Sequence, residues 1–173
     1  KPEALKTALK NLKKNPALVI TDSQAVKFVA ETVPANIPLT TFSMLFARAK
    51  WDFMQMAEGI KAIKSLQDNS RVLIAEGCSH HITCDDIGRV KIPQMLKKYT
   101  GKELNIDFVS GTDFPEDISG YALIIHCGGC MLNRAEIKRR LNECARQNIP
   151  VTNYGMVISL AQGVLDRVSA PLR

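Results

Sequence analysis

The sequence predicts an α/β protein of two small units, each built on a parallel sheet flanked by helices. Three observations predict it: short apolar runs bounded by turn residues, helical spacing of apolar residues between those runs, and a polar break at Gln67-Asp68-Asn69-Ser70. Apolar strands alternating with helices imply parallel strands covered on both faces. The break divides the chain into residues 1–68, with two expected strands, and residues 69–173, with four in a Rossmann-like layer.

Leu5, Leu9 and Leu12 space a helix over 3–14, which Asn15-Pro16 ends, because a residue before proline is pushed out of the helical region. Ala17-Leu18-Val19-Ile20 is a short strand, and Asp22 or Ser23 caps a helix that turns Val26, Phe28 and Val29 inward. Past the turn at 34–38, Leu39-Thr40-Thr41-Phe42-Ser43 is the second strand, and one long helix is expected over 44–66. In the second unit, strands are expected at 72–75, 104–109, 122–125 and 151–153. A helix opens near Pro93, a second opens on the capping box Asn133-Arg134-Ala135-Glu136, and a last one runs to about Val168.

Two strands alone do not make a stable sheet. Met44, Phe46, Trp51, Phe53 and Met54 add more apolar surface than the two strands can cover. The first unit therefore needs a partner, either the second unit or a second copy. The expectation is a homodimer joined edge to edge through the first unit, with a complete chemical site in each protomer.

Of the 173 residues, 46% are hydrophobic and only 6% aromatic, with a formal charge of +6. No apolar run approaches the roughly 18 residues of a membrane span, so no membrane partner is expected. The excess charge sits in Lys1, Lys6, Lys10, Lys13 and Lys14 and in Lys138-Arg139-Arg140, both within expected helices. Those runs read as solvated faces, and sparse aromatics offer no platform for bases, so no nucleic acid is expected. A start at Lys1-Pro2-Glu3 reads as a piece of something longer. Five cysteines without a secretion signal fit a reducing cytoplasm.

Chemistry concentrates in Cys78-Ser79-His80-His81 and His126-Cys127-Gly128-Gly129-Cys130, each directly after an apolar strand. In an open parallel sheet the carboxyl ends of the strands share one edge, where ligand crevices form. Three readings stay open: a tetrahedral zinc site, an iron–sulfur cluster with a weak fourth ligand, and a redox dithiol of Cys127 and Cys130. Cys144 falls at core spacing with Ile137 and Leu141, Cys84 reads as a packed thiol and His81 as solvent-facing, and Asp85 and Asp86 read as caps of a turn.

Cys78-x-His80 followed by His126-Cys127-x-x-Cys130 resembles the signature of the HydF family, scaffold proteins of FeFe-hydrogenase maturation. Cys84-Asp85-Asp86-Ile87-Gly88-x-Val90-Lys91-Ile92-Pro93 and the segment from Ile37-Pro38-Leu39-Thr40 to Ala47-Arg48 resemble family segments too. The resemblance implies a dimerisation domain at 1–68 and a cluster-binding domain at 69–173, without the family's GTPase domain. Gly101-Lys102 lacks the earlier glycine and the following hydroxyl of a nucleotide loop, so no GTP site is expected and the chain is expected not to be an enzyme. By resemblance, Cys78, Cys127 and Cys130 ligate a 4Fe-4S cluster, with His126 the leading candidate for an exchangeable fourth ligand and His80 the next. The implied task is to carry a diiron precursor, made with the maturases HydE and HydG, to apo-hydrogenase HydA.

Overall fold

The computed structural model describes residues 2–77 and 86–173. Helix α1 (Pro2–Lys10) leads to strand β1 (Val19–Thr21), helix α2 (Val26–Thr32) and strand β2 (Leu39–Thr41). β1 and β2 pair in parallel, Val19 opposite Leu39 and Thr21 opposite Thr41. Helices α3 (Phe42–Lys50) and α4 (Phe53–Gly59) and a 3-10 turn to Ser65 connect them to strand β3 (Arg71–Ala75). Helix α5 (Ile92–Thr100), strands β4 (Asn105–Val109) and β5 (Leu123–His126), helix α6 (Arg134–Arg146) and strand β6 (Val151–Asn153) follow. Helices α7 (Tyr154–Ala161) and α8 (Leu165–Ser169) close the chain. The second sheet is parallel throughout, in the order β4-β3-β5-β6. The α/β class with a two-strand and a four-strand parallel sheet is therefore as the sequence predicts. Among the described residues, no helix is long and apolar enough to cross a membrane.

The single helix expected over 44–66 is two helices and a turn. Thr41 opens α3 early by accepting from the Met44 amide. Trp51 is extended (φ −105°, ψ −171°), and the Asp52 carboxylate accepts the Gln55 amide at 3.0 Å, starting α4 afresh. An aspartate offering its side chain to the backbone competes with helix continuation, and the resulting bend carries Phe53 and Met56 into the core. The apolar periodicity was compatible with both outcomes.

Much of the surface expected to need a second copy is covered within the chain. Met44, Trp51 and Phe53 are buried, whereas Phe42, Phe46 and Met54 remain exposed. The C-terminal helices supply the cover. The Thr40 hydroxyl donates to the Val168 carbonyl at 2.8 Å, and the Arg167 guanidinium donates to the carbonyls of Ala30, Val33 and Pro34. On the other side, the Asn153 amide donates to the Ser43 carbonyl at 3.3 Å. One continuous core runs from Val26 and Met44 through Leu73 and Ile124 to Val168.

Helix α4 lies against edge strand β6, and only glycine fits at the crossing. A methyl group at Gly59 would be driven into the Val151 carbonyl, which is backbone and cannot swing aside. Gly59→Ala is expected to cost about 1–3 kcal/mol, the usual range for overpacking, read as a lower urea midpoint. An unchanged midpoint would mean that α4 can ride away from β6 freely.

Candidate metal centre

β3 is flanked by β4 on one side and β5 on the other, so the direction of strand progression reverses between β3 and β5. Such a reversal opens a crevice at the carboxyl ends of the strands. Ala75 and His126 are opposite one another there, and the Cys127 amide donates to the Ala75 carbonyl at 2.9 Å. The fold thus brings the end of β3 and the 127–130 turn side by side. Cys78, His80, His81, Cys84 and Asp85 lie outside the described residues. The residue preceding Cys78, Gly77, donates its amide to Cys127 Sγ at 2.9 Å, and the Gly129 amide points to the same sulfur at 3.4 Å.

N–H groups aimed at sulfur favour the thiolate, the form that binds metal. Cys127 is half-buried and Cys130 exposed, so the two sulfurs stand at the rim of the crevice. A soft donor set with amide support fits a thiolate-ligated metal or cluster. The turn between them depends on Gly129, whose φ of +64° is left-handed, a region where a side chain is strained. Trp51 and Lys50 reach this turn from the end of α3, the indole N–H donating to the Gly128 carbonyl at 3.3 Å and Lys50 Nζ to the Cys130 carbonyl at 3.4 Å.

His126 is 1% exposed and both ring nitrogens are engaged. Nδ1 lies 3.1 Å from the Cys127 carbonyl and Nε2 lies 2.8 Å from an Arg140 amino group. Since a guanidinium only donates, the network assigns the ring proton to Nδ1 and leaves Nε2 accepting. Burial, and next the Arg140 charge, push the imidazole down to about 3. Arg140 had read as part of a solvated basic run, yet it is 1% exposed. It donates to Glu136 at 2.6 Å and to the Gly111 carbonyl at 2.6 Å, and stacks over Phe114. Its neighbour Arg139 keeps the expected exposure and chelates Glu136 from outside.

A second polar group lies under the crevice. Glu76 Oε2 accepts from Arg89 and from the Ser110 hydroxyl, and Asp86 caps the helical turn over 87–91 by accepting the Arg89 amide at 2.8 Å. The cap expected at 85–86 thus falls to Asp86 among the described residues. Burial raises the Tyr154 hydroxyl well above the usual phenol range, with Cys127 and Glu76 adding to the effect. Cys144 is a core thiol as its spacing implied, 1% exposed and pushed up to about 12 by burial. Sequence reasoning passed over Glu76, Trp51 and Arg140. The available signals were an acid between a buried strand and a cysteine motif, and a lone tryptophan in a helical pattern.

The Glu136 carboxyl is held at about 2, below its ordinary 4.5, first by Arg139 and then by Arg140. A carboxyl lowered in the folded state stabilises the fold fully above its unfolded value and loses that contribution as pH falls toward the folded one. Between about pH 4.5 and 2, urea stability of the native chain should therefore fall more steeply than that of Glu136→Gln. Parallel curves for the two proteins would show that the clamp contributes nothing.

No curated protein matches the chain. Family models do: residues 1–51 match the Hydrogen maturase F dimerization domain and residues 54–171 the Hydrogen maturase F tetramerization domain. The two matches meet where α3 ends at the indole that touches the cysteine turn. Matches of this extent, which together span nearly the whole chain, show that the protein belongs to the hydrogen maturase F family, and so to hydrogenase maturation.

Proposed function

We propose that the chain is a scaffold and carrier in assembly of the FeFe-hydrogenase H-cluster. Cys78, Cys127 and Cys130 hold a 4Fe-4S cluster, and a diiron precursor received through HydE and HydG is passed to apo-hydrogenase HydA. The observation that supports this is the crevice at the strand reversal, where two backbone amides converge on Cys127 Sγ and one belongs to Gly77, the residue before Cys78. A cluster bound there supplies one iron with a replaceable ligand, open to a bridging fragment.

His126 and His80 are the candidates for that fourth position. Iron ligation through His126 Nε2 requires the Arg140 amino group to withdraw first, since it occupies that lone pair. The residues of the chain bind and orient cargo; no reaction step is assigned to them. The net charge of +6 suits an anionic precursor. Self-association through the first unit uses the exposed Ile20, Phe42 and Phe46, and the proposed setting is the reducing cytoplasm, where thiolates persist.

Anaerobic reconstitution of the intact chain with iron and sulfide tests the reading. Broad absorption near about 400 nm with matching iron and sulfide supports it. A colourless protein holding stoichiometric zinc and refusing iron would replace it with a zinc-stabilised binding module, and a reversible Cys127–Cys130 disulfide without metal uptake would replace it with a thiol oxidoreductase.

A further inference from the structure

The 127–130 turn is held from outside its own family segment. Trp51 is the last residue matched to the dimerization domain and the only tryptophan of the chain. Its side chain is 8% exposed and makes three contacts at the turn. The indole N–H donates to the Gly128 carbonyl at 3.3 Å. The ring lies 4.4 Å from the His126 ring, tilted by 53°. The bare Cα of Gly129 rests on the indole, where a methyl group would fall 2.6 Å from Cζ2. Lys50 adds a bond to the Cys130 carbonyl, and from α6 Arg134 ties back to the Ala49 carbonyl at 3.1 Å.

A turn with two adjacent glycines has wide conformational freedom when unsupported. Ordering it at the moment of metal binding would weaken affinity, and a turn already held avoids that loss. A buried indole N–H needs an acceptor, and here the acceptor is a carbonyl between the two cysteines. We infer that Trp51 is a positioning residue for the Cys127/Cys130 pair, so that the site is incomplete without the end of the first unit. This rests on the reading of Cys127 and Cys130 as metal ligands.

The test uses the full chain as wild type, Trp51→Phe, which keeps an aromatic ring and removes the N–H, and Trp51→Ala. In the metal-free chains, iodoacetamide labelling of Cys127 is followed peptide by peptide, with buried Cys144 as the internal measure of an intact core. Cys127 labelling should rise about five-fold in Trp51→Phe, the scale of one lost hydrogen bond, and further in Trp51→Ala, with Cys144 still protected. After anaerobic loading, Trp51→Phe should reach wild-type iron content but surrender iron to a chelator about five-fold faster. Unchanged labelling and unchanged iron release in Trp51→Phe overturn the inference. If Trp51→Ala exposes Cys144, the Phe variant alone decides. A wild-type chain that takes up no iron overturns the metal reading instead, and the labelling of metal-free Cys127 still decides whether Trp51 positions the turn.

Discussion

Cys127→Ala should abolish iron uptake on anaerobic reconstitution, and Cys130→Ala and Cys78→Ala should do the same. On the proposed reading each substitution removes an anionic soft ligand of the cluster. Cys144→Ala is the control: the thiol is 1% exposed in the core, so it should leave iron content unchanged. His126→Gln should keep iron and change the electron paramagnetic resonance signal, whether by losing a ligand or by releasing Arg140. Wild-type iron content in Cys127→Ala would remove the cluster from this site.

Arg140→Met should destabilise the fold by about 3–5 kcal/mol, the cost of breaking a buried charged network from one side. Methionine matches the length of the aliphatic stem, so the loss is polar rather than steric. Removing the guanidinium leaves His126 Nε2 and the Gly111 carbonyl without their donor and Glu136 with Arg139 alone. Unpaired buried acceptors carry their full desolvation penalty. Against an ordinary total stability of about 5–15 kcal/mol, that is a large share, and urea denaturation would show it directly. Arg139→Met, removing a guanidinium that is 47% exposed, should cost under about 1 kcal/mol. A cost for Arg140→Met as small as that would mean that the network bears no part of the fold's stability.

The contrast between Arg139 and Arg140 shows why part of this site was not legible from the chain. Both belong to one basic run on a helix with a polar composition, and nothing local separates them. Their fates differ because the Gly111 carbonyl and the His126 ring arrive from other parts of the fold on the Arg140 side of α6. His126 is similar. Its place beside Cys127 suggested a ligand, but its ring orientation is set by Arg140 and Trp51, neither of which a motif reveals.

Strand and turn chemistry, by contrast, is local, and there the sequence by itself was sufficient. Apolar runs at β3 and β5 specify strands buried on both faces, and Asn133 caps α6 by accepting the Glu136 amide at 2.9 Å, as the capping box required. The order of alternating elements then determined a parallel sheet and placed the 127–130 turn at its carboxyl edge. What the tertiary structure alone decided was partnership. It covered β2 with α8 through Thr40 and Val168, and set the indole against the Gly128 carbonyl. Apolar periodicity states that a side chain is buried but not against what, and these contacts join residues too far apart in the chain for any local pattern to record.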